Sequence, residues 1–178
     1  MKFEQLDIQG SFLIHAEPFE DGRGVFRRNY CEKEFIDNNI VSHVAQANIS
    51  ENRYKHTLRG FHYQAPPHGE GKTMTILKGR IYDIIVDLRK ESNTYLKWVS
   101  LELTPDMRTS FHVPPGCANA FLTMEDDTLV HYYCSYPYTQ DAERGIRYND
   151  PLFMFKWPVD KPEHISDKDG SWPDFDPE

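Results

Sequence analysis

The densest chemistry in the chain lies in two neighbouring segments, Gln46-Ala47-Asn48-Ile49-Ser50 and Arg59-Gly60-Phe61-His62-Tyr63-Gln64. Written as an extended strand, the second segment puts Gly60, His62 and Gln64 on one face and Arg59, Phe61 and Tyr63 on the other. Histidine is the side chain best matched to proton transfer near neutral pH, and a glycine beside it lets another group approach the backbone closely. From residue types alone, His62 reads either as a general acid or base, or as a structural histidine that is hydrogen-bonded or exposed.

A metal centre is the first rival reading. The residue two beyond His62 is Gln64, so the His-x-His pair common in small β-barrels is missing. His68 and Glu70 stand in and after a Pro66-Pro67-His68-Gly69 turn, a poor place to fix ligands, and the match to a two-histidine, one-carboxylate set is weak. No metal or other cofactor is therefore expected. Cys31, Cys117 and Cys134 are odd in number, irregularly spaced and free of any CxxC pair, as in reduced cytoplasmic proteins. There is no Gly-x-Ser-x-Gly elbow, phosphate-cradling loop or dinucleotide fingerprint, and Gly22-Arg23-Gly24 matches part of the last only faintly. Nucleophilic and hydride chemistries drop out.

These residues must be held by β-structure. From Arg80 to Leu88, Tyr82, Ile84, Val86 and Leu88 fall on one apolar face, and Ile81, Asp83, Ile85 and Asp87 on a mixed one. Trp98 to Leu103 alternates in the same way, and Thr128 to Cys134 is rich in β-favouring residues. Turn signals at Lys78-Gly79-Arg80, Ser92-Asn93, Thr104-Pro105-Asp106 and Pro114-Pro115-Gly116 recur at the spacing of a sandwich or barrel. Only Cys31 to Asn39 reads as helix, with Phe35 and Ile36 in a charged frame. The expected fold is all-β with a minor helix.

At 178 residues, 39% hydrophobic and 13% aromatic, the chain has material for one core, and residues 1–178 are expected to form one domain. The tail from about 157 to 178 is dense in Pro, Asp and Lys, yet Trp157, Ile165 and Trp172 predict that it packs back onto the body. A formal charge of −8 argues against a nucleic-acid partner. An anionic ligand would need Arg and Lys gathered locally in a cleft. The opening MKFEQLDIQG has no apolar signal core and nowhere do 18 apolar residues run together, so a soluble cytoplasmic protein with no membrane partner is expected.

Taken in order, the motifs resemble the dTDP-4-dehydrorhamnose 3,5-epimerase family over nearly the whole chain. They are Asp21-Gly-Arg23-Gly24 with Phe26, Gln46-Ala-Asn48-Ile-Ser50, Arg59-Gly-Phe-His62-Tyr-Gln64, Gly71-Lys72, and Val86-Asp87-Leu88-Arg89 with Ser92. They continue through Pro115-Gly116-Cys117-Ala118, Tyr132 with Tyr138, Glu143-Arg-Gly-Ile146, Asn149-Asp150-Pro151 and Ser166-Asp-Lys-Asp169. The resemblance implies a cupin-type antiparallel jelly roll that needs no metal, an isomerase that moves protons at the two carbons flanking the C4 ketone of a nucleotide-diphosphate 4-keto-6-deoxy sugar, and a homodimer. It implies that His62 is the base, Asp169 the carboxylate orienting it, Lys72 the cation near the ketone oxygen, and Tyr132 the acid on the opposite face. Tyr138 would pack on substrate, Arg23 and Arg59 would meet the diphosphate, Gln46 and Asn48 would supply neutral donors, and Phe26 a stacking surface. Arg23 and Phe26 would lie on an arm that reaches the neighbouring subunit's site.

Two positions depart from the family. Where it commonly reads Pro-x-Gly-x-Ala-His-Gly-Phe, this chain has Asn119 in place of the histidine, an amide that does not titrate. On the arm, a usual glutamate that receives a hydrogen bond from thymine is Arg28, a donor only. These departures motivate an alternative, a single-centre epimerase of a CDP- or GDP-linked 4-keto sugar. A binding-only cupin and a metal-dependent cupin enzyme are the other readings.

Overall fold

In the computed structural model, which describes residues 1–177, two antiparallel sheets face each other. The first has six strands: β1 (Lys2–Gln5), β2 (Phe12–His15), β10 (Thr109–Val113), β7 (Lys72–Lys78), β12 (Thr128–Cys134) and β5 (Gln46–Asn52), in that spatial order. The second has five: β13 (Glu143–Gly145), β6 (Leu58–Gln64), β11 (Cys117–Thr123), β8 (Ile81–Asp87) and β9 (Trp98–Leu103). A separate hairpin pairs β3 (Phe19–Asp21) with β4 (Gly24–Phe26). The order, with sequence-distant strands as neighbours, is that of a cupin-type jelly roll.

Between the sheets lies a core that includes Ile8, Met74, Ile85, Phe111 and Val130. The mixed face of β8 looks into this interior, carrying Ile81 and Ile85. Its apolar face looks outward. There Ile84 and Val86 join Phe61, Ala118 and Ala120 in a second cluster, roofed by Phe153, Phe155, Trp157 and Phe175 of the C-terminal segment. Burying that face requires the tail, which explains why a stretch so rich in Pro and Asp is ordered against the sheet. Trp157 donates its indole N–H to the Tyr148 carbonyl (2.8 Å), and Phe175 N–H bonds to Asp150 Oδ2 (2.7 Å). Ile165 is half-buried, and Trp172 lies flat on Gly145, where an added Cβ would stand 2.1 Å from the indole.

On the outer side of the six-stranded sheet, Ile14, Phe35 and Ile40 form a third cluster with Phe3, Phe12 and Tyr30. Helix α1 spans Glu32–Asp37, shorter at both ends than the expected Cys31 to Asn39. Cys31 is its extended N-cap residue, and the backbone closes on Phe35 and Ile36 through the N–H groups of Asn38 and Asn39. Phe35 anchors it, whereas Ile36 is exposed. Among the described residues no helix is long and apolar enough to cross a membrane.

Candidate active site

A cavity of about 440 Å³ opens between the sheets, within the size range of small-ligand sites. His62, from β6, stands in its wall. His62 Nε2 lies 2.7 Å from Asp169 Oδ1, and the second carboxylate oxygen accepts the Gly60 N–H at 3.2 Å. Asp169 belongs to α2 (Asp167–Gly170), a single turn too short to persist by itself. It is held by the Ser166 cap, whose Oγ accepts the Asp169 N–H (3.1 Å), and by Lys168, which pairs with Glu143 of β13 at 2.5 Å.

Burial works against a charged Asp169, but the hydrogen bond and charge of His62 and the Gly60 N–H outweigh it and hold the carboxyl below its ordinary range. An ionised carboxylate only accepts, so Nε2 must carry the hydrogen and Nδ1 is left as the basic nitrogen. This is the geometry of a histidine general base with its tautomer fixed from behind.

Strict alternation fails in β6. Arg59 lines the same cavity as His62 and Gln64, not the opposite face with Phe61. The cause is a register shift: His62 pairs with Asn119 and Arg59 with Phe121, so two residues, Gly60 and Phe61, oppose Ala120. Gly60 makes this possible. Its φ is +115°, and a Cβ there would lie 2.5 Å from the Asn119 carbonyl oxygen. Phe61 then turns outward to stack on Phe155 at 4.3 Å between ring centroids.

Lys72 opens β7, its side chain 13% exposed, with Nζ 3.1 Å from the His62 carbonyl and 3.2 Å from Glu70 Oε1. Tyr132 comes from β12. Burial above all, with Glu70 nearby, raises its phenol pKa, so it stays a neutral donor. Asn48 stands beside Tyr132 on β5, its amide 3.8 Å from Cys134 Sγ. Gln46 Oε1 accepts the Tyr138 N–H, and the Tyr138 hydroxyl donates to Glu143 at 2.8 Å. Asn119, from β11, is buried and lines the cavity.

Eight of the twelve expected residues thus wall one cavity, with Asp169 directly behind His62. Arg23, Phe26 and Arg28 are elsewhere. Arg23 and Phe26 sit on the β3–β4 hairpin, with side chain and residue 89% and 76% exposed; Arg23 pairs with Asp21 at 2.6 Å. Arg28 pairs with Glu34 of α1 at 2.8 Å. Sequence reasoning missed Glu70, Met74, Cys134 and Glu143 in the lining. Alternation from Lys72 and Tyr132 points to Met74 and Cys134, whereas Glu70 enters the sequence reading only as a metal ligand and Glu143 only as part of a motif. Of the residues once weighed as metal ligands, His68 turns to the Tyr136 hydroxyl (3.3 Å) and Glu70 to Lys72, and among the described residues no group of three potential ligands converges.

A jelly-roll barrel whose cavity sets a carboxylate-held imidazole with a lysine and a half-buried phenol has the parts for acid–base chemistry in an enzyme of the cupin type. Comparison with known proteins narrows the class. The family model described as dTDP-4-dehydrorhamnose 3,5-epimerase matches residues 5–177. A protein of that name from Sinorhizobium fredii is 36% identical over 173 residues, covering 97% of this chain and 89% of the relative. The crystal structure of dTDP-4-dehydrorhamnose 3,5-epimerase from Elizabethkingia anophelis superposes with a TM-score of 0.93 at 32% identity, covering 98% of this chain and 96% of the other. That of the Bacillus anthracis enzyme, with TDP and pyrophosphate bound, gives 0.91 at 34% identity, with 97% and 98% covered. The chain belongs to the dTDP-4-dehydrorhamnose 3,5-epimerase family.

Proposed function

We propose that the protein is an isomerase that epimerises a nucleotide-diphosphate-linked 4-keto-6-deoxy sugar at the carbons flanking the ketone. The observation that carries this reading is the 2.7 Å contact between His62 and Asp169 in the wall of a cavity shared with Lys72 and Tyr132. Hydrogens next to a ketone are removable because the electron pair left behind spreads onto the oxygen. His62 Nδ1 takes such a proton. Lys72 Nζ stabilises the enolate oxygen, a role suited to an ammonium with little access to water. The Tyr132 hydroxyl returns a proton to the same carbon from the other face, which inverts it, and the phenolate and imidazolium then re-equilibrate through solvent. Proton count is unchanged over the cycle. No cofactor enters these steps.

Arg59 is the cavity's own guanidinium for the diphosphate, with Gln46, Asn48 and Tyr138 toward the nucleotide end. The names of the relatives favour dTDP as carrier, and most of them inversion at both carbons; a structure described as a 3'-monoepimerase from Streptomyces bikiniensis, 28% identical, carries a dTDP sugar too, and none of these names points to a CDP- or GDP-sugar. We further propose a cytoplasmic homodimer in which the exposed Phe26 and Arg23 of the hairpin complete the partner's cavity. An isolated two-stranded ribbon with Phe19, Val25 and Phe26 exposed gains stability from such docking. Barrel and tail are proposed to act as one domain, since Asp169 reaches His62 only from the tail.

The test is to supply dTDP-, CDP-, GDP- and UDP-linked 4-keto-6-deoxyhexoses in heavy water and follow C3 and C5 by NMR. Deuterium entry and inversion at both carbons of the dTDP sugar is the expected result. Binding without deuterium entry would overturn the enzymatic reading.

A further inference from the structure

The proton-transfer scheme leaves one buried pair in the cavity floor unused. Asn119 stands directly across the β6–β11 ladder from His62. Its amide nitrogen is 2.9 Å from Asp83 Oδ2 and 3.3 Å from Met74 Sδ. The thioether sulfur has no hydrogen to give, so the NH2 group faces Met74 and Asp83; turning the amide over would set its oxygen against that sulfur. The NH2 group is spent inside the protein. What remains for the cavity is Oδ1, an acceptor.

Asp83 explains why that orientation holds. It is fully buried on β8, and its other oxygen has no partner among the described residues. A charged carboxylate with so few bonds is costly to bury, and burial raises its pKa well above the ordinary range against the opposing pull of the Asn119 hydrogen bond and the Lys72 charge. Its Oδ2 holds the Asn119 NH2 group from inside the barrel.

We propose that Asn119 determines substrate specificity: its Oδ1 accepts a hydrogen bond from a ring hydroxyl of the sugar at or next to the carbon that His62 deprotonates, while Asp83 and Met74 position the amide. An acceptor repels rather than holds an enolate oxygen, so Asn119 reads the hydroxyl and Lys72 the ketone. The inference rests on the cavity being the ketosugar site.

The experiment compares kcat/KM and deuterium entry for the accepted 4-keto sugar and its 2-deoxy and 3-deoxy analogues. The wild type is set beside Asn119→Leu, which keeps the branching at Cγ and removes the acceptor, and Asn119→Ala as a second variant. Leaving a buried acceptor unpaired lowers kcat/KM about 10- to 100-fold, so the wild type should disfavour one analogue by that factor. Both variants should bring the ratio to within about threefold of unity, whereas Asp83→Asn, which still offers an oxygen to the Asn119 amide, should keep it. A wild type indifferent to both analogues, or variants that retain the discrimination, would overturn the proposal. Absence of deuterium entry with every ketosugar would instead defeat the reading of the cavity on which it rests.

Discussion

Replacing Asp169 by Asn tests the carboxylate that the tail delivers to His62. The wild-type group offers two acceptors, Oδ1 to the imidazole at 2.7 Å and Oδ2 to the Gly60 N–H at 3.2 Å. An amide offers one. If its oxygen stays with Gly60, its NH2 faces Nε2, and the imidazole must move its hydrogen to Nδ1, which destroys the base. If the oxygen faces His62, two N–H groups collide at Gly60, leaving a buried donor unpaired at a cost of about 1–3 kcal/mol. The first arrangement therefore wins. The expected loss is the full yield of general base catalysis, about 100- to 10,000-fold, or about 3–5.5 kcal/mol of barrier. Deuterium entry measured by NMR under single-turnover conditions reports proton abstraction directly, and titration calorimetry with the free nucleoside diphosphate should show affinity unchanged. A variant that exchanges deuterium within about tenfold of the wild-type rate would refute the tautomer argument, and with it the assignment of His62 as the base.

Tyr132→Phe should slow inversion far more than it slows deuterium exchange of the substrate proton, because only the returning acid is lost; equal slowing of both, read by NMR, would transfer that role. Asp87 is fully buried, and although burial opposes its charge, bonds from Arg89, Ser92 and Thr94 bring its pKa to about 2. A depressed carboxylate stabilises the fold above its unfolded pKa near 3.8 and ceases to as pH falls through about 2, a contribution of about 2 kcal/mol. Urea titrations at pH 7 and across pH 4 to 2 should show Asp87→Asn less stable at neutral pH with a flatter acid limb, and an unchanged limb would contradict this. Gly60→Ala should impair folding or collapse the β6 register, since the new methyl meets the Asn119 carbonyl at 2.5 Å; a variant with wild-type melting temperature and deuterium exchange would show that the close approach is not required.

How far the sequence reaches depends on whether a feature is periodic. Alternation in 80–88 and 98–103 is a local consequence of the pleat, and both segments are strands, β8 and β9. Which face of β8 looks into the barrel is not local: Asp83 and Asp87 made one face look like the wet one, yet the aromatic tail covers the other. The same limit governs the site. Alternation alone separated Arg59 from His62; a single extra residue at Gly60–Phe61 reunites them, and a glycine in a strand was the one visible hint. Asp169 was reached through family resemblance, since no pattern inside a Pro- and Asp-rich tail marks one carboxylate among many. Trp157 belongs to the aromatic roof over the outer face of β8. His62 and Asp169, the proposed base and its orienting acid, are thus 107 residues apart in sequence, and their 2.7 Å contact depends on that apolar roof as much as on either side chain. The proposed catalytic geometry is a property of the second core, and loosening the tail should disable deuterium entry before it unfolds the barrel.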